Sequence, residues 1–127
     1  MADQKTVLII DDANLVRLYY RSTLEAAGFR VEEALNGLEA LEKLPSMGAD
    51  LLIVDINMPQ MDGLSFLKAL RQAPASIASI PALVTSTESQ ESDVASARTA
   101  GANYYSVKPV AAPKLVQLAA MLSGVRR

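Results

Sequence analysis

The chain has 127 residues, half of them apolar, with 12 Lys and Arg against 14 Asp and Glu, and it contains neither His nor Cys. That length fits one domain, residues 1–127, with a real core, and the net charge of -2 argues against a general affinity for nucleic acid or an anionic membrane surface. Without Cys, disulfides, thiolate metal sites and cysteine nucleophiles are excluded; without His, so are imidazole acid-base chemistry, Ser-His-Asp triads and most zinc sites. Carboxylates, hydroxyls, lysines and backbone remain.

Neither a charged start with an apolar core at residues 1–12 nor an apolar run of the roughly 18 residues a membrane span needs is present, so a soluble cytoplasmic protein is expected. Residues 7–10 (VLII) read as a buried strand closed by Asp11 and Asp12. From Asn14 to Ala27, Val16, Tyr20, Thr23, Leu24 and Ala27 recur at helical spacing, and Gly28 suits a C-cap. Residues 31–34 make a weaker strand. Asn36-Gly37 then turns the chain into a helix lined by Leu38, Leu41 and Leu44 and stopped near Pro45.

Residues 51–54 (LLIV) run without alternation into Asp55, as in a strand buried on both faces, and Pro59, Asp62 and Gly63 follow as turn formers. Leu64, Leu67 and Leu70 mark a helix ending before Pro74, and residues 73–79 read as a small polar loop. Residues 81–86 (PALVTS) are a fourth strand; Thr87 with Gln90 offers a capping box for a helix reaching Ala100 that is poor in large apolar residues. Residues 103–107 form a fifth strand ending at Lys108-Pro109. Leu115, Leu118, Ala119 and Leu122 define a last helix, with Pro113 in its first turn and Gly124 at its end.

Five strand-helix units imply a doubly wound α/β fold: a five-stranded parallel sheet with five helices on its two faces and right-handed crossovers. Ligands collect at the carboxyl ends of such strands, where this chain carries Asp11, Asp12, Asp55, Ser86 and Lys108. Three carboxylates at one edge repel one another, which a cation relieves; Mg2+ suits oxygen ligands and a phosphoryl group. A phosphoryl group on Asp55, as nucleophile and acceptor, would face the metal, the Lys108 ammonium and the Ser86 hydroxyl. Taken singly, an Asp pair is a common helix-capping turn and a Lys-Pro a common loop; their coincidence at successive strand ends carries the reading.

These residues resemble the response-regulator receiver domains, in their stand-alone chemotaxis-type (CheY-like) form. The resemblance runs over nearly the whole chain and is carried by IIDD at residues 9–12, IVDINMPQMDG at 53–63, VTSTE at 84–88 and AGANYYSVKP at 100–109. It implies the strand order 2-1-3-4-5. It also implies phosphorylation of Asp55 by a partner histidine kinase, with Mg2+ held by Asp11, Asp12, Asp55 and the backbone carbonyl of Asn57. By the same resemblance Lys108, with a cis bond to Pro109, pairs with the phosphoryl group. Ser86, five residues beyond Pro81, is the favoured switch hydroxyl, with Thr85 the alternative. Tyr105 is the switch aromatic, and Asn57 and Glu88 tune dephosphorylation.

Val110 stands where the family commonly has an aromatic residue. With no DNA-binding or catalytic segment after Val125, the expected output of a monomer is docking of the face formed by the fourth helix, fifth strand and fifth helix onto a target protein such as a flagellar motor switch. A phosphorelay or kinase-feedback role is the alternative, and no catalysis beyond autophosphorylation and autodephosphorylation is expected. Asp55-x-Asn57 also resembles the nucleophile motif of haloacid-dehalogenase-type phosphatases. In those enzymes the nucleophile strand comes first and an acidic pair late, the reverse of this chain.

Overall fold

The computed structural model describes residues 4–58 and 61–124; the expected turn residue Pro59 and the chain from Val125 lie outside that range. Among the described residues the order is β1 (Thr6–Ile10), α1 (Asn14–Ala26), β2 (Arg30–Ala34), α2 (Gly37–Met47), β3 (Leu51–Asp55), α3 (Gly63–Arg71), α4 (Ala75–Ala78), β4 (Ala82–Ser86), α5 (Glu91–Ala100), β5 (Tyr104–Val107) and α6 (Ala112–Ser123). All strand pairs are parallel, in the order β2-β1-β3-β4-β5. This is the doubly wound sheet expected from the unalternated apolar strands.

Alternate strand residues feed two cores. Leu8, Ile10, Leu52, Val54 and Val84 meet Ala40 and Leu44 of α2, Phe66, Leu67 and Leu70 of α3, and Ala97 and Ala100 of α5. Val7, Ile9, Leu51, Ile53 and Leu83 meet Tyr20 and Leu24 of α1 and Leu115, Leu118 and Ala119 of α6. Because every strand of the central three is sealed on both faces, the chain opens to solvent only past the strand ends, at loop residues such as Asp12, Asn57 and Thr87, and a site forms there.

The helices depart from expectation in four places. Among the described residues there are six rather than five: Pro74 opens a single turn, α4, where a loop was expected, and four residues are too few to show a period. Helix α2 passes through Pro45 to Met47, because the missing N–H falls in the last turn, where Gly48 N–H still reaches Leu44 O and Ser46 Oγ donates to Lys43 O. Its buried stripe is Gly37, Ala40 and Leu44, one turn-step away from Leu38, which is exposed. The capping box at Thr87 does not form: α5 starts at Glu91, and the segment before it is held instead by Ser86 Oγ accepting from Glu88 N–H.

Gly63 is fixed by a close approach rather than by its dihedral. A Cβ there would lie 2.6 Å from Asp55 O and 2.8 Å from Ile56 Cα, so only glycine lets the start of α3 close over the end of β3, where Gly63 N–H donates to Ile56 O.

Candidate functional site

Strands β1 and β3 are neighbours, so their carboxyl ends set Asp11 and Asp12 beside Asp55. One carboxylate oxygen from each of the three lies within 4.8 Å of the others; Asp11 and Asp55 are buried and Asp12 is exposed. Asp11 Oδ1 accepts from Ala13 N–H at 2.9 Å, and Asp55 Oδ1 accepts from Asn57 N–H at 3.4 Å. Lys108 reaches across from the end of β5, its Nζ 3.0 Å from Asp11 Oδ2 and 3.1 Å from Asp55 Oδ1. The Lys108-Pro109 bond is cis. Main-chain bonds fix this loop: Lys108 N–H donates to Ser86 O at 2.7 Å, and the Tyr19 hydroxyl of α1 donates to Val110 O at 2.8 Å.

The charges do not balance. Burial and the neighbouring Asp11 raise the Asp55 carboxyl above its ordinary range, more than the Lys108 ammonium lowers it. Burial opposes the charge of Lys108, yet hydrogen bonds and attraction from Asp11 and Asp55 outweigh it and hold the ammonium above its usual range. One cation therefore serves two buried carboxylates, and a third carboxylate adds to the deficit. An all-oxygen cluster, open on the Asp12 side, fits Mg2+, which takes one or two carboxylates, keeps several waters and accepts a phosphoryl oxygen.

The two candidate hydroxyls differ in setting. Ser86 ends β4 and accepts from Glu88 N–H at 3.0 Å. Thr85 is the in-register neighbour of Asp55 on the face that Leu83 shares with α1 and α6; it is fully buried, and Oγ1 has no hydrogen-bond partner of full geometry although the Tyr20 phenol lies next to it. Tyr105 is half-buried against the α5 side, and its hydroxyl donates to Glu88 O at 2.8 Å. One residue, Glu88, thus ties Ser86 through its N–H and Tyr105 through its carbonyl. The side chains of Glu88 and Asn57 are exposed at the rim.

Sequence reasoning brought no attention to Arg17 and Tyr19, which brace the site from α1. Arg17 lies three residues before Tyr20 and seven before Leu24 on the buried face of the helix, so a charge on an apolar stripe was the available signal.

No helix among the described residues is long and apolar enough to cross a membrane. A family profile for the response regulator receiver domain matches residues 7–120. The chain is 38% identical over 112 residues to the chemotaxis protein CheY of Bacillus subtilis (strain 168), covering 87% of this chain and 91% of that one. It is 39% identical over 103 residues to the KDP operon transcriptional regulatory protein KdpE of Escherichia coli (strain K12), covering 81% of this chain and 44% of KdpE, so it spans less than half of that relative. The solved structure of Vibrio cholerae chemotaxis protein CheY4 superposes with a TM-score of 0.89 at 32% identity, covering 94% of this chain and 99% of that chain. With a doubly wound sheet, an acidic cluster at its strand ends and these matches, the chain belongs to the response-regulator receiver domains of two-component systems.

Proposed function

We propose that the chain is a Mg2+-dependent phosphoacceptor, with Asp55 taking a phosphoryl group from a phosphohistidine of a partner kinase. The observation that carries this reading is the convergence of Asp11, Asp12, Asp55 and the Lys108 ammonium at the strand ends. An Asp55 carboxylate oxygen forms a bond to phosphorus as the P–N bond breaks; the imidazole nitrogen keeps that electron pair and takes a proton from solvent. Held by Asp11, Asp12, Asp55 and the Asn57 carbonyl, Mg2+ would neutralise charge on the phosphoryl oxygens.

The residues around Asp55 have distinct work. Lys108 exchanges its contact with the Asp55 carboxylate for one with a phosphoryl oxygen. Ser86 is the switch hydroxyl, supported by its place at the strand end, whereas Thr85 is closed into the layer beneath α1. When Ser86 turns to the phosphoryl group it releases Glu88 N–H, and through Glu88 the hold on Tyr105 changes, shifting the population toward a second arrangement of the α5–β5–α6 face. Tyr104 and Lys114 stand exposed on that face, which docks to a target protein with the regulator acting as a monomer. Chemotaxis or motor control is the favoured pathway, supported by similarity to a chemotaxis protein over 91% of its length; a phosphorelay or kinase-feedback role is the second reading.

Intact mass after incubation with Mg2+ and acetyl phosphate tests the acceptor chemistry. A labile gain of one phosphoryl group is expected, lost on chelation and in Asp55→Asn; a folded parent that gains nothing overturns it. Asn57 and Glu88 substitutions are expected to change the lifetime of the phosphorylated form more than the Mg2+ affinity, and equal effects on both would contradict their tuning role. Tyr105→Ala and Lys114→Ala are expected to weaken target binding; full binding by both would move the docking face elsewhere.

A further inference from the structure

Arg17 is a charged residue only 6% exposed, and all three of its guanidinium nitrogens are committed. One terminal nitrogen donates to Asp11 O at 2.6 Å, Nε donates to Glu33 Oε1 at 2.8 Å, and the other terminal nitrogen donates to Asn14 Oδ1. The Asp11 carbonyl belongs to the peptide bond joining Asp11 to Asp12. Its orientation therefore sets the directions in which the two adjacent carboxylates leave the main chain.

The rest of Asp11 is held as well: its N–H donates to Ala34 O at 3.2 Å, and its carboxylate accepts from Ala13 N–H and Lys108. Without Arg17, that peptide plane would lose its only side-chain donor among the described residues. Glu33, near the end of β2, completes the brace: one oxygen accepts from Arg17 Nε and the other from Arg21 Nε at 2.6 Å, and Arg21 pairs in turn with Glu25, so two carboxylates match the two guanidiniums. A bare guanidinium behind the cluster would repel a cation; a neutralised one positions without repelling.

We propose that Arg17, held by Glu33, is a positioning residue for the divalent-cation site: it fixes the Asp11-Asp12 peptide so that both carboxylates address one Mg2+. This rests on reading Asp11, Asp12 and Asp55 as that site. The requirement is for the planar fork, which reaches a carbonyl, a carboxylate and an amide oxygen at once; a lysine ammonium on a flexible stem does not reproduce that geometry. The groups that orient metal ligands commonly matter to affinity by 10- to 100-fold when removed.

The test is calorimetric titration of the full chain with MgCl2, beside the Mg2+ dependence of phosphorylation by acetyl phosphate. Arg17→Met and Arg17→Lys are both expected to weaken Mg2+ about tenfold and to raise the Mg2+ needed for half-maximal phosphorylation, with the rate at saturating Mg2+ within about twofold of the parent. Glu33→Gln, which keeps the side-chain shape at a partly exposed position, is expected to weaken Mg2+ by less than the Arg17 variants do. Unchanged affinity in Arg17→Met and Glu33→Gln overturns the proposal, as does tighter binding in Arg17→Met, which would make the guanidinium only a repelling charge. Arg17→Lys binding as the parent does overturns the need for the fork. A parent that binds no Mg2+ removes the underlying site reading as well, an outcome distinct from a parent that binds while its variants do not differ.

Discussion

Arg71 and Arg17 each turn a guanidinium onto main-chain carbonyls, one at either end of the sheet. At the amino ends of β4 and β5, Arg71 donates to Gly101 O, Ala78 O and Ile80 O and to Asn103 Oδ1, joining α3, α4, β4 and the approach to β5. Among the described residues no carboxylate pairs with it, and burial lowers its pKa. At the carboxyl ends, Arg17 is paired with Glu33 and touches the main chain of an acidic cluster that is itself short of positive charge. The amino end is satisfied internally and serves stability; the carboxyl end keeps an electrostatic deficit that a cation and a phosphoryl group can answer.

Arg71→Met disturbs the amino end most severely. It strands several carbonyls and is expected to cost about 2–4 kcal/mol by chemical denaturation. Its Mg2+ affinity should equal the parent's, and any weakening would mean the two ends are coupled. Gly63→Ala comes next, at about 1–3 kcal/mol, since the added methyl meets main-chain atoms of Asp55 and Ile56. Unlike Arg71→Met it should also slow phosphorylation by acetyl phosphate, because the displaced backbone carries the acceptor.

A smaller effect comes from the charge deficit. The Asp55 carboxyl titrates above the ordinary 3.8 in the folded chain, so the folded state binds its proton more readily than the unfolded state. Ionised Asp55 therefore costs stability, a cost absent below that ordinary value, growing as pH rises toward the folded pKa and constant beyond it. In chelator, Asp55→Asn should melt above the parent at pH 7 by a margin that shrinks toward pH 4, and Mg2+ should narrow it by stabilising the parent more than the variant; a margin independent of pH would contradict the deficit. The smallest effect is Tyr105→Phe. Losing the bond to Glu88 O should cost about 0.5–1 kcal/mol and leave phosphorylation by the small donor unchanged while altering target binding.

The sheet and the charged strand ends were legible because their signals are local. An unalternated apolar block closed by a carboxylate and then by turn formers, as at Leu51–Asp55, reads as a strand sealed on both faces whose carboxyl end gives onto a loop. Convergence followed from topology: in a parallel sheet every carboxyl end lies at one edge. What was not legible depends on partners distant in sequence or on very few residues. Arg17 reads as a misplaced charge until Glu33, 16 residues on, is seen to accept from it. Gly63 reads as a turn residue, although it is required by contact with the end of β3. Asn36, read only as a turn, caps α2 through Glu39 N–H, while Glu39 reaches back to Leu35 N–H; Asn-x-x-Glu was the available signal. The α2 stripe was displaced because Ala40, small and unremarked, sits where Leu38 was expected.

The measurement closest to the central claim is where the phosphoryl group resides. After reaction with acetyl phosphate and Mg2+, borohydride reduces a carboxyl-phosphate mixed anhydride to an alcohol but leaves phosphate esters of Ser and Thr intact, and peptide mapping then locates the product. A reduced side chain at Asp55 alone is expected, absent in chelator. Phosphate retained on Ser86 or Thr85, or reduction at Asp11 or Asp12 with Asp55 unmodified, would contradict that claim.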